Sequence, residues 1–197
     1  MTTQNAPKAL IVVAPGAEEL ELISIQDVLS RGGVNVILGA LSYEGSTLIK
    51  CAHGTLLKTD ALLKDINTLD MDAIIIPGGY QGALNCRDSL HLGKILRAHK
   101  AAGKLIGAIC AAPGFVLTAH GILTENIVAT GYPGTTKEIP NADESVGVIN
   151  DVYNNVITAK GPAYGIEFGL ALLATLKGKD VAQKVSDDML YTEFNQA

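Results

Sequence analysis

Apolar residues arrive along this chain in two alternating forms. Segments 9–14 (ALIVVA), 34–41 (VNVILGAL), 72–76 (DAIII) and 104–109 (KLIGAI) are short, nearly unbroken and rich in β-branched residues. That pattern predicts strands buried on both faces. Residues 18–31 and 89–102 instead repeat apolar positions at helical spacing, and glycines (Gly32-Gly33 and Gly103) stop them. A helix is expected to start near Pro113, because proline suits the first helical turn. Residues 127–130 and 155–159 read as later strands, 166–176 as a helix, and 181–190 as a last helix beyond Gly178. Residues 42–60 read as a β excursion of short strands and turns. Strands alternating with helices specify an α/β fold, a doubly wound, mainly parallel sheet sandwiched by helices. No linker or repeat divides residues 1–197, so one domain is expected.

Composition narrows the class. Apolar residues make up 48% and charged ones 18%, which fits a packed globule rather than a disordered chain. Fifteen Lys and Arg against twenty Asp and Glu leave a formal charge of −5, with no basic cluster. Specific nucleic-acid binding is therefore not expected, since phosphate recognition needs concentrated positive charge. The opening residues 1–8 lack a basic-then-apolar leader, and no apolar run reaches the roughly 18 residues of a membrane span. Three cysteines, Cys51, Cys86 and Cys110, are an odd number in a chain too long to need staples. A reducing, cytoplasmic setting is the expectation.

In such sheets ligands bind beyond the carboxyl ends of the strands. Three loops there have unusual composition: 15–21 (PGAEELE), 77–82 (PGGYQG) and 109–114 (ICAAPG). Cys110 ends an apolar strand, has small neighbours and precedes a helix start, the setting of a nucleophile elbow that lowers a thiol's pKa. The competing reading is a buried, inert thiol. Glu18, Glu21, Ile25 and Val28 share one helical stripe, which would bury Glu21 at the pocket floor, raise its pKa and let it act as proton donor and acceptor. Glu19 reads as a complement to the helix dipole. Gly78 and Gly79 would bring backbone N–H groups, with that of Ala111, to a developing oxyanion, or form an ordinary turn. His91 and His99 read as surface or helix-face residues of a helix packed outside the sheet, and His120 as a complement to its own helix dipole. No dinucleotide fingerprint, phosphate loop or metal-ligand spacing occurs, so no cofactor and no metal is expected.

The segments 16–21, 77–79 and 108–113, with Lys160-Gly161-Pro162, closely resemble the ThiJ/PfpI superfamily, in its DJ-one/YajL branch. The resemblance runs in order from Ala9 to about Val185. It implies a flavodoxin-like fold, a homodimer, a reactive nucleophile at Cys110 and a carboxylic acid at Glu21 that hydrogen-bonds the sulfur. It further implies a polar pocket residue at Glu18, oxyanion amides at Gly79 and Ala111, and pocket walls at Pro162 and Ala163. Two departures stand out. Members with a Cys-His-acid triad carry histidine where this chain has Ala111, and the DJ-one type carries a pocket histidine where Tyr132 precedes Pro133. A tyrosine can orient a carbonyl but is a poor base near neutral pH. A position near the dimer contact, commonly arginine in relatives, is His53, which with Arg31 would present donors to an anion.

The resemblance implies cysteine-dependent repair of reactive dicarbonyls: glutathione-independent glyoxalase or deglycase activity on small aldehydes or glycated proteins and nucleotides, within oxidative and carbonyl stress response. The alternative is a redox-sensing chaperone whose cysteine oxidises to sulfinate. A cysteine peptidase or amidotransferase is disfavoured by the missing histidine.

Overall fold

The computed structural model describes residues 6–192, so residues 1–5 of the opening segment lie outside the described chain. Strand β1 (Lys8–Val13) runs into helix α1 (Glu19–Arg31), and β2 (Asn35–Ala40) returns parallel to β1 with Val13 opposite Ala40. The β excursion is an antiparallel hairpin of β3 (Leu48–Lys50) and β4 (Leu56–Lys58), followed by a short β5 (Ala61–Leu62). Then come β6 (Ala73–Ile76), α2 (Tyr80–Arg87), α3 (Leu90–Ala101) and β7 (Leu105–Ile109). The chain closes with β8 (Val148–Asp151), β9 (Val156–Ala159), α4 (Gly165–Lys177) and α5 (Lys179–Asp188).

The main sheet has seven strands in the order β5-β2-β1-β6-β7-β9-β8, and only the β8–β9 pair is antiparallel. From β1 the chain winds outward to β2, then crosses back to β6 on the other side, so the order reverses beside β1. Right-handed crossovers consequently put α1 and α3 on opposite faces. The fold is a flavodoxin-like α/β domain, with α1 packed on α4, α4 on α5, and α2 beside α3. Every residue from Ala9 to Ala14 and from Ala73 to Ile76 is buried, as two covered faces require. The strand order reverses beside β1, so the carboxyl ends of β1, β6 and β7 mark the position at which sheets of this kind bind ligands.

Four expectations need correction. Residues 127–130 make no strand: Ala129 forms one bridge with Ala142, and the Thr130 N–H donates to the Thr158 side-chain oxygen instead. The helix expected at Pro113 is a single π-helical turn, Pro113–Leu117. His120 is buried, and its Nε2 bonds the Cys86 carbonyl at 3.2 Å, serving the last turn of α2 rather than its own segment. His99 is buried too, with Nε2 3.1 Å from the Leu105 carbonyl, tying the end of α3 to β7. Among the described residues no helix is long and apolar enough to cross a membrane.

Burial, with the nearby Lys104 charge adding to it, pushes the His99 imidazole down to about 4. The unfolded chain then binds more protons than the folded one between about 4 and the ordinary value near 6.5. His99's contribution is complete above that upper value, declines as the pH falls, and is constant below the lower one. The protein is expected to be about 1–2 kcal/mol less stable at pH 5 than at pH 7 from this group, allowing for some solvent screening. Urea melts across that range should show the slope flattened in His99→Gln; an unchanged slope would assign the acid sensitivity elsewhere.

Candidate active site

Cys110 follows the last residue of β7 and adopts the left-handed conformation, φ 64°. For a non-glycine residue that costs on the order of 1 kcal/mol and persists only when neighbours enforce it. They do so from both sides. The Cys110 N–H donates to the Ala159 carbonyl at 2.9 Å, and its own carbonyl accepts the Tyr132 N–H at 2.7 Å. The thiol is thereby held at the top of the sheet and is 8% exposed, recessed but not sealed.

Glu21 comes up from the first turns of α1. Glu21, Ile25 and Val28 are all 0% exposed, so the helical stripe buries the carboxyl as its spacing predicts. Its Oε2 accepts the Gly78 N–H at 2.7 Å, whereas Oε1 is buried without an ordinary hydrogen-bond partner. The Cys110 side chain interacts with this carboxyl, and Gly78 separates the two only because it lacks a side chain. A β-carbon there would stand 2.4 Å from Cys110 Cβ and 2.7 Å from Glu21 Oε2. Gly79 turns the chain from β6 into α2 at φ 83°, and its N–H and that of Ala111 both bond the Cys110 sulfur.

The electrostatics differ from the expected lowered thiol pKa. Burial raises Glu21 to about 7, against the opposing pull of the Gly78 N–H. Burial, reinforced by the Glu21 charge, pushes Cys110 up to about 12, and the Gly79 and Ala111 amides offset only part of it. Desolvation wins because few donors reach either group. Each resists ionising while the other is charged, so the two behave as one coupled unit sharing a negative charge. Moving the thiol proton onto the Glu21 carboxylate transfers that charge to sulfur without adding a second one.

Glu18 is the N-cap of α1, its Oε2 accepting the Glu21 N–H at 2.7 Å, and it is nearly buried. His53 reaches it from the hairpin, Nε2 to Oε1 3.8 Å. Tyr132 is 49% exposed, with its ring against Gly161. Pro162 and Ala163 form the start of a short 3₁₀ turn leading into α4, the first half-buried and the second exposed. Arg31 is not brought to this pocket within one chain. It lies in the last turn of α1, about 18 Å along the axis from Glu19, paired with Asp27 at 2.7 Å.

One role escaped the sequence. Glu19 does more than face the helix dipole: its carboxylate accepts the His53 N–H at 3.0–3.1 Å and the Thr55 N–H at 3.3 Å, clamping the hairpin over α1. Against a desolvation penalty, those N–H groups hold the carboxyl below its ordinary pKa. No local pattern announces a bond across 34 residues.

A strained cysteine over a buried carboxyl, at the carboxyl end of a doubly wound sheet, defines a class: the chain belongs to the DJ-1/PfpI family, whose model matches residues 7–175. Within it the similarity is to the DJ-1 branch. The chain is 35% identical over 185 residues to protein dj-1beta of Drosophila melanogaster, an alignment covering 92% of this chain and 96% of that one. It is 40% identical over 177 residues to the glutathione-independent glyoxalase DJR-1.2 of Caenorhabditis elegans, covering 87% and 90%. The solved structure of oxidized DJ-1 from Toxoplasma gondii superposes with a TM-score of 0.89 at 38% identity, over 95% of this chain and all of that one (100%).

Proposed function

We propose that this protein converts reactive dicarbonyls such as glyoxal and methylglyoxal to hydroxy acids without glutathione, and acts by the same chemistry on early glycation adducts of proteins and nucleotides. The observation that carries the reading is the buried Glu21 Oε1, left without an ordinary partner beside a cysteine held in a strained elbow. A relative named as a glutathione-independent glyoxalase supports it. The Cys110 sulfur adds to the aldehyde carbon, and the former carbonyl oxygen takes up the Glu21 proton while the Gly79 and Ala111 amides hold its developing charge. Glu21, now a carboxylate, removes the hydrogen from that carbon, and the electron pair passes to the neighbouring carbonyl as an enediolate. The proton returns to the second carbon while the hydroxyl proton of the first passes to the neighbouring oxygen, leaving the thioester of a hydroxy acid. Water cleaves it, sulfur departs as thiolate and takes back its shared proton, and lactate is released from methylglyoxal. Redox balance is internal, since one carbon is oxidised as its neighbour is reduced.

Tyr132, Pro162 and Ala163 border the entrance and orient the carbonyl, with Glu18 as a polar wall. The whole chain, 1–197, acts as one domain in the cytoplasm. It pairs with a second copy through the exposed Leu20 and Ile23 of α1 and Leu48 and Leu56 of the hairpin. Cys110→Ala is expected to reduce lactate formation to background; turnover surviving in that variant would remove sulfur from the scheme.

A second reading has its own support, since a relative with this fold is described in an oxidized state. In it Cys110 becomes a sulfinate, held by the same two amides and a protonated Glu21, and the change alters affinity for protein clients. Intact mass under mild peroxide separates the two: a stable gain of two oxygens at Cys110 with negligible aldehyde turnover favours the sensor.

A further inference from the structure

The loop joining β3 to β4 does more than turn the hairpin. It carries His53 across to the first turn of α1, where the Glu19 carboxylate fixes the loop by accepting the His53 and Thr55 N–H groups. The imidazole is thereby delivered to Glu18. One ligand atom from each of Glu18, Glu19 and His53 lies within 4.8 Å of the other two. Glu18 supplies an independent sign that something belongs there. Its side chain is only 10% exposed, Oε2 is occupied by the helix cap, and Oε1 points toward His53 Nε2 at 3.8 Å. That separation is too long for a hydrogen bond, and among the described residues no donor bonds this oxygen.

We propose that Glu18, Glu19 and His53 form a binding site for a divalent transition-metal ion of the Zn²⁺ class. Two carboxylate oxygens and one imidazole nitrogen are a borderline donor set, suited to Zn²⁺ and Cu²⁺ rather than to Ca²⁺ or Mg²⁺, which prefer oxygen alone. Bonds of about 2.0–2.1 Å in a tetrahedron place ligand atoms about 3.3 Å apart. The exposed His53 ring, 75% accessible, closes the remaining gap by a small rotation, and water completes the coordination. The positive end of α1 opposes a cation by roughly 0.3–1 kcal/mol. Two carboxylates already anchored by backbone N–H groups outweigh it. The ligands come from sequence positions 18–19 and 53, which is why no local spacing motif announces them. Glu18 also walls the aldehyde pocket, but neither Cys110 nor Glu21 is among the three ligands, so metal binding does not depend on the sulfur.

Titration of the full-length protein with Zn²⁺ alone, followed by calorimetry and by competition with a chromophoric chelator, tests this. One equivalent is expected to bind, and to bind equally to Cys110→Ala. His53→Ala, which keeps the backbone N–H that Glu19 accepts, should weaken binding by at least about 10- to 100-fold. The exposed-histidine control His91→Ala should not. Co²⁺ in place of Zn²⁺ should give a low-symmetry d–d spectrum lost in His53→Ala. Absence of binding, binding unaffected by His53→Ala, or binding abolished by Cys110→Ala would each overturn the assignment; the last would move the metal to the thiol.

Discussion

Glu21→Gln is expected to cut lactate formation from methylglyoxal by about 10²–10⁴-fold, the range set by loss of a positioned proton carrier. Glutamine has almost the same volume, and its carbonyl oxygen can still accept the Gly78 N–H that Oε2 accepts at 2.7 Å. The sheet, the elbow and the helix cap should therefore survive, and urea melts should stay close to wild type. The amide can donate to sulfur but cannot remove hydrogen from carbon and return it to the next one. Adduct formation should outlast turnover: methylglyoxal should still add to Cys110, detectable by intact mass, while lactate fails to appear. A variant turning over within a few-fold of wild type would show that Glu21 only shapes the pocket. A variant losing adduct and turnover in equal measure would place its role in making the thiolate rather than in moving the carbon-bound proton.

The architecture was readable because its strongest elements are also its most buried. β1, β6 and β7 sit in the middle of a sheet covered on both faces, so their sequences had to be nearly continuous hydrocarbon. α2 was missed for the opposite reason. Tyr80–Arg87 places a glycine and polar residues where an apolar stripe would advertise a helix, and it buries only Gly82, Ala83 and Cys86. β8 was missed because a four-residue edge strand, part exposed on both faces, carries no periodic signal. Residues 127–130 gave a false signal: Ile127 and Ala129 are apolar because they pack, without a neighbouring strand to pair along.

The site divides along the same line. Cys110 and Glu21 were legible from a strand-ending cysteine and from a helical stripe, both local patterns. Their coupling was only half legible. The sequence places two amides at the sulfur but not the degree of desolvation that outweighs them. Contacts made across the fold were invisible. Glu19 reaching the hairpin, His53 reaching Glu18 and Arg31 standing a helix length from the pocket follow from how α1 lies beneath the β3–β4 loop.

Gly78→Ala is expected to do more damage than its one added carbon suggests. The new β-carbon would have to share space with Cys110 Cβ at 2.4 Å, Glu21 Oε2 at 2.7 Å and the Cys110 sulfur at 3.0 Å. None of the three can retreat freely. Cys110 is fixed by bonds to Ala159 and Tyr132, and β6 is locked to β7 with Ile76 opposite Ala108. Glu21 is enclosed by α1 and the turn after β6. The cheapest relief is to lift that turn, which breaks the Gly78–Glu21 hydrogen bond and swings the Gly79 N–H off the sulfur. Overpacking of this kind costs about 1–3 kcal/mol, and misplacing a catalytic group by about 1 Å costs roughly a hundredfold in rate. Denaturation midpoints should fall modestly, while lactate formation and the rate of Cys110 alkylation change far more than stability does. Wild-type turnover in folded Gly78→Ala would mean that sulfur and acid need not approach each other as closely as the bare glycine allows, and the proton relay between them would have to be abandoned.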